Sequence, residues 1–272
     1  MSGLPGGYFA PGNSFVEFLR AEAPEVLDAS LGAFAAPGRG AAAAVGAASP
    51  NDAPPTATTV LALAYRDGVV MAGDRRATQG HQIASRDIEK VFPADASTAV
   101  GMAGVAGLSL QLVRLYQLEL EHYEKIEGAA LSLRGKANRL AAMLRGQLGL
   151  ALQGLAVVPL LAGWDPAPDP DREAPPRGRI FSFDVTGGSY EEREYAAIGS
   201  GAVFAKSSLK KLYRPGATAR TAIRAALTAL TDAADEDTGT GGVDRARDIY
   251  PVVARVDARG YARIPDHELA KL

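Results

Sequence analysis

The 272-residue chain has no cysteine. That excludes disulfides, thiolate metal sites and a cysteine nucleophile, and it fits a reducing compartment without requiring one; a cytoplasmic location is expected. Histidine is scarce as well. His81, His122 and His267 stand far apart, without the spacing of a zinc-binding helix, so neither a metal nor another cofactor is expected. A Ser-His-Asp triad finds no support, because no G-x-S-x-G elbow is present. Charge of one sign is missing too: the net charge of −2 leaves no electrostatic footprint for nucleic acid. Long hydrophobic runs are also lacking. The most apolar one, residues 148–164, is interrupted by Gln153 and Pro159 and falls short of the roughly 20 residues of a membrane span. It reads as a helix end passing into a core strand, and no membrane partner is expected. No secretory signal is expected either, since the first basic residue is Arg20 and no apolar core follows a positive start.

What is present divides at residue 57. Residues 1–57 are about half Ala, Gly and Pro, a composition that buries too little apolar surface to offset chain entropy. One island, Phe15-Val16-Glu17-Phe18-Leu19, has the pattern of a short amphipathic turn. A plain N-terminal tail and a removable propeptide both fit this stretch. From Thr58 to Leu272 the sequence is dense and patterned, as a folded domain requires.

That domain opens with TVLALAY, a turn at Arg66-Asp67-Gly68, and VVMAGDRRAT. Two apolar, β-branched runs around an Asp-Gly step predict a β-hairpin, with the Asp-Gly supplying positive φ angles. A short loop leads to Asp87-Ile88-Glu89-Lys90, and residues 97–103 predict a buried strand. Helical spacing of Leu108, Leu112, Leu115 and Leu120 predicts a helix over 107–125, and a second is expected over 132–153. Strands follow at 156–163, 179–185 and 195–198, helices at 202–212 and 219–234, and strands at 250–256 and 261–264. Between the first two of these strands, 165–176 is a Pro/Asp loop. Strands, two helices, strands, two helices, strands imply an α+β protein of stacked sheets with helices outside.

Among the residues that carry chemistry, Thr58, Asp74 and Lys90 come first. A threonine hydroxyl is a weak nucleophile until a neighbouring base takes its proton, and the α-amine of an N-terminal threonine is such a base. Its ordinary pKa of about 7.7–8.0 already suits a general base near neutrality. An ammonium from Lys90 beside it would favour the free amine, and Asp74 would hold that lysine charged. A surface ion pair remains the alternative for a lone carboxylate and lysine.

The stretch TTVLALAYRDGVVMAGDRRATQGHQIASRDIEKVF resembles the start of mature proteasome β-subunits of the actinobacterial type. The segments LELEHYEKIEG, GKANRLA, AIGSGAVFAKSSLKKLY and DTGTGGVDRARDIYPVV continue the resemblance in order, so it covers essentially everything from Thr58 onward. It implies an N-terminal nucleophile hydrolase with a four-layer αββα sandwich, a threonine endopeptidase made as a zymogen whose propeptide, residues 1–57, is removed by self-cleavage between Ala57 and Thr58. Motif matching places Thr58 as nucleophile, supported by Asp74 and Lys90. It places Ser200 beside the terminal amine, with Asp237 and Thr240 as supporters, and the Gly104 N–H as oxyanion donor. Ala77, Ile88, Phe92, Met102 and Ala106 match the first specificity pocket, and Thr78 matches the residue whose backbone pairs with substrate. The pocket is apolar with no charge at its base, which implies cleavage after hydrophobic or aromatic residues. Implied partners are α-subunit rings, a second β-ring of identical seven-membered type, an ATPase unfoldase docked through the α-ring, and unfolded, modifier-tagged protein substrates.

One departure is Ala57, where the family usually has glycine. A Cβ narrows the backbone angles available to the strained turn in which self-cleavage occurs, so slower processing is expected. A catalytically silent or unprocessed structural ring subunit is the rival reading; loss of Thr58, Asp74 or Lys90 would mark it, and all three are present. Asp237-Thr238-Gly239 also spells the aspartic-protease triplet, but Asp235-Glu236 precede it and there is no second copy to share a proton with.

Overall fold

The computed structural model describes residues 58–80, 82–165 and 178–272. The expected leader, most of the Pro/Asp loop and His81 lie outside the described residues.

Two five-stranded antiparallel sheets face each other. Strands β1 (Thr59–Tyr65) and β2 (Gly68–Gly73) form the expected hairpin, Tyr65 opposite Gly68. They occupy the middle of the first sheet, flanked by β10 (Tyr195–Gly199) on one side and β11 (Val252–Asp257) and β12 (Gly260–Arg263) on the other. The second sheet runs β5 (Val91–Asp95), β6 (Thr98–Gly104), β7 (Val157–Trp164), β8 (Gly178–Phe183) and β9 (Ser189–Glu192). Pro93 sits in the edge strand β5, where a missing N–H interrupts no ladder on the open side.

The continuous apolar reading of β1 has a direct cause: both of its faces are buried. Val60 and Ala62 point between the sheets with Met71, Ala99, Leu160 and Ile180. Leu61 and Leu63 point outward under α4 (Ala202–Leu212) and α5 (Ala219–Glu236), packing with Leu209, Ala226 and Leu230. The second sheet is covered in the same way. Helices α1 (Ala106–Glu127) and α2 (Leu133–Gly146) lay Leu112, Tyr116 and Leu140 on Val100, Leu161 and Phe181. Helix, sheet, sheet, helix is the expected αββα order.

The structure departs from the sequence reading at several points. Neither Asp67 nor Gly68 has a positive φ, so the hairpin does not depend on that freedom. Glycine is required at 68 for space: a Cβ there would lie 2.1 Å from the Val256 carbonyl oxygen of β11. The helix expected over 132–153 ends at Gly146, and α3 (Leu148–Ala151) follows as a separate turn. Gly146 and Gly149 each disfavour helix by about 1 kcal/mol relative to alanine. The expected loop after β2 contains a small hairpin, β3 (Ala77–Gln79) with β4 (Gln82–Ser85), outside both sheets. β4 is largely exposed, β3 is half-buried, and strands of three and four residues are too short to show an alternation. The short edge strand β9 and the C-terminal turn α6 (Asp266–Leu269) escaped notice for the same reason. Among the described residues, no helix is long and apolar enough to cross a membrane.

Candidate active site

Antiparallel pairing brings the chemically interesting residues to one end of the sandwich. Thr59 pairs with Gly199 and Val60 with Gly73, so the start of β1 lies beside the ends of β2 and β10. Thr58 precedes β1, Asp74 follows β2 and Ser200 follows β10. In the facing sheet Val91 pairs with Gly101, which sets Lys90, just before β5, near the end of β6. Asp237 caps α5, and Thr240 lies three residues on. Thr58, Asp74, Lys90 and Thr240 are all buried.

Asp74, fully buried, is the hub. Its Oδ1 accepts the Lys90 ammonium at 2.6 Å and the Thr59 N–H at 2.8 Å. Its Oδ2 accepts the N–H groups of Arg76 and Gly241, both at 2.8 Å. Lys90 also donates to the Arg76 carbonyl at 2.5 Å. Burial pushes the Lys90 ammonium below the ordinary lysine value, and the Asp74 carboxylate beside it only partly offsets that. The pair is therefore not the exposed ion pair that the residue types alone allow.

A second carboxylate centre stands next to the first. Ser200 and Thr240 both donate their hydroxyls to Asp237 Oδ2, each at 2.6 Å, and Gly239 donates its N–H to Oδ1 at 3.2 Å. Burial works against charge on Asp237, but these hydrogen bonds outweigh it, and its carboxyl is held below the usual range. The Ser200 N–H donates to the Thr58 carbonyl at 3.0 Å, anchoring the residue before β1. Gly199 makes this approach possible. Its φ is +95°, and a Cβ would lie 1.7 Å from the Thr58 carbonyl oxygen. Gly199→Ala is accordingly expected to displace Thr58 and lower peptidase activity at least about 100-fold, read from steady-state rates.

A groove with an empty volume of about 390 Å³ opens beside Thr58. Of the residues assigned to substrate binding, Ala77, Ile88, Phe92, Met102 and Ala106 line it together with Gly104 and Lys90. Thr78 does not line it; it lies in β3, next to Ala77. Sequence reasoning missed Ser109 and Leu110, which line the groove one helical turn beyond Ala106. Spacing of three and four residues along α1 was the available signal. It also missed Glu89, which lines the groove and whose carboxylate pairs with Arg263 at 2.5 Å. Gly104 has φ +112°, and a Cβ there would lie 2.2 Å from the Ala156 carbonyl oxygen. Among the described residues no group of His, Asp and Glu is arranged to hold a metal ion.

A buried cation beside a threonine, a second cluster of hydroxyls on a carboxylate, and an apolar groove together suit acyl transfer to a hydroxyl. The chain matches the family model described as "Proteasome subunit" over residues 55–246. It is 54% identical over 268 residues to a proteasome subunit beta of Stackebrandtia nassauensis, covering 98% of this chain and 90% of the relative. It is 50% identical over 268 residues to a proteasome subunit beta of Jonesia denitrificans, covering 98% of this chain and 82% of the relative.

Proposed function

The chain belongs to the proteasome subunit family, as a core-particle β subunit of threonine-endopeptidase type, and from that premise we propose that Thr58 is its nucleophile, exposed as a new terminus when residues 1–57 are cut away. The observation that carries the assignment is the buried Lys90–Asp74 pair, 2.6 Å apart, at a groove that Thr58 itself lines.

The Thr58 hydroxyl attacks the peptide carbonyl while its own α-amine takes the hydroxyl proton. Charge develops on the carbonyl oxygen, and the Gly104 N–H, at the end of β6, is the donor assigned to it. The amine then passes its proton to the leaving peptide nitrogen, and the C–N bond breaks to leave an acyl ester on Thr58. Water attacks that ester while the amine takes its proton; the C–O bond to Thr58 then breaks, the amine returns the proton to the departing Thr58 oxygen, and the second product leaves with a free carboxylate. Lys90 keeps the amine unprotonated by its charge, Asp74 holds Lys90, and Ser200, Asp237 and Thr240 orient the amine. No metal or organic cofactor enters these steps.

The apolar walls formed by Ile88, Phe92, Met102 and Leu110 favour a hydrophobic side chain before the cleaved bond. Membership of the family implies assembly with α-subunit rings in a core particle. A second β-ring of seven copies, an ATPase unfoldase on the α-ring, unfolded and modifier-tagged substrates, and a cytoplasmic location belong to the same proposal.

The test is intact mass and N-terminal sequencing after co-expression with a cognate α-subunit. A terminus at Thr58 is the expected result, reached several-fold faster in an Ala57→Gly variant, because glycine relaxes the backbone at the cleaved bond. A wild-type chain that stays full length in assembled particles would overturn the assignment and favour a structural, unprocessed subunit.

A further inference from the structure

Thr59 is fully buried, and it touches both carboxylate centres of the site. Its N–H donates to Asp74 Oδ1 at 2.8 Å, while its hydroxyl lies 2.6 Å from the hydroxyl of Thr240. The direction of that second bond follows from proton counting. Thr240 has one hydroxyl proton and gives it to Asp237 Oδ2 at 2.6 Å, since an ionised carboxylate only accepts. Thr59 must therefore be the donor to Thr240. Its oxygen in turn accepts the Gly201 N–H at 3.0 Å. The result is a chain with one polarity: Gly201 N–H to Thr59, Thr59 to Thr240, Thr240 to Asp237. Ser200 meets it from the other side, spending its proton on the same Oδ2. The Ser200 oxygen is thus left able only to accept, which is what a neighbouring amine requires of it.

The packing around this chain is close. Gly201 has φ −83° and ψ 5°, angles that any residue adopts, so its backbone does not call for glycine. A Cβ there would lie 2.5 Å from both the Thr59 and the Thr240 hydroxyl oxygens. The glycine leaves room for the hydroxyl pair.

We propose that Thr59 is a positioning residue for catalysis: its hydroxyl donates into the hydrogen-bond chain that ends on Asp237 and holds Thr240 in place, while its N–H braces Asp74, tying the two carboxylates together from the position next to the nucleophile. The inference rests on Thr58 being that nucleophile. Hydrogen bonds in such a series polarise one another, so losing the first weakens the last.

Thr59→Val removes the hydroxyl and keeps the volume and the N–H. In particles assembled with the α-subunit, kcat on a peptide with a hydrophobic residue before the cleaved bond is expected to fall on the order of tenfold, with KM changed less than about twofold. Thr59→Ser, which restores the hydroxyl without the methyl, should recover kcat to within about threefold of wild type. Thr59→Val combined with Thr240→Val should lose little beyond the worse single variant, because both cut one chain. A Thr59→Val enzyme with wild-type kcat, a Thr59→Ser enzyme as slow as the valine variant, or losses that multiply would each overturn the proposal. If Thr59→Val does not assemble, Gly201→Ala presses on the same hydroxyls without backbone strain; assembled particles with wild-type kcat would then overturn it. A Thr58→Ala control separates the two readings, since activity remaining there removes the nucleophile assignment itself.

Discussion

Thr58→Ala is expected to give particles that assemble, retain residues 1–57 and hydrolyse peptides at least about 10³-fold more slowly than wild type. The substitution deletes the one oxygen assigned both to self-cleavage and to attack on substrate. Thr58 is anchored through its backbone, by the Ser200 N–H on its carbonyl at 3.0 Å, and the first pairing of β1, Thr59 with Gly199, is a backbone register. Neither depends on the Thr58 side chain. Loss of activity with intact assembly is thus a statement about chemistry and not about folding. Intact mass reports the retained leader, and a fluorogenic peptide reports the rate. Thr58→Ser keeps an oxygen nucleophile and an α-amine, so it should be processed and remain active. An alanine variant that matures or turns over substrate would show that another group attacks the peptide bond.

Much of this site was legible because antiparallel strands carry information about their ends. Once residues 59–73 are a hairpin, Thr58 and Asp74 must be neighbours, whatever the rest of the chain does. The residue types then suggested a nucleophile, a carboxylate and, in Lys90, a cation, and the ordered match of distant motifs supplied Ser200, Asp237 and Thr240. Those last three cannot be reached by periodicity, because they meet Thr58 only through elements far apart in sequence. The groove residues divided similarly. Ala77, Ile88, Met102 and Ala106 came from the resemblance, while Leu110 lay within reach of simple helix geometry and was passed over. Thr59 has no catalytic role in the sequence reading. Its role in the structure depends on a side chain fully enclosed by Gly201 and Thr240, contacts across 142 and 181 residues that no local pattern encodes. The β3–β4 hairpin was missed for a different reason. Its strands of three and four residues are too short, and β4 too exposed, for an apolar side to reveal their period.

Asp74→Asn is expected to be the most damaging substitution at the site after loss of the nucleophile, and for reasons of stability as well as chemistry. The carboxylate is wholly buried and receives four donors: the Lys90 ammonium and the N–H groups of Thr59, Arg76 and Gly241. Asparagine keeps one acceptor oxygen and turns the other into a donor, which then faces N–H groups across 2.8 Å. It also strands the buried Lys90 ammonium without its counter-charge. Removing one partner of such a pair costs about 3–5 kcal/mol, and melting of the assembled particle should fall by on the order of 10 °C. Neutralising both partners, as in Asp74→Asn with Lys90→Met, should not restore stability, because the three backbone N–H groups remain short of an acceptor. Full recovery in the double variant would contradict the hub described here. The pair also sets a pH limit. Burial pulls Lys90 below the ordinary lysine value, so the folded chain releases this proton at lower pH than the unfolded chain does. The stability contribution of this group therefore rises as pH climbs from the folded value toward the unfolded one, about 10.4. Activity moves the opposite way, since a neutral Lys90 no longer sets a positive charge beside the negative charge that develops on the Thr58 oxygen as it attacks. The alkaline limb of kcat/KM should accordingly fall below the range of an ordinary lysine, while the melting temperature shows no matching drop. A limb at or above the ordinary value would mean that Lys90 is not the cation on which the attack depends.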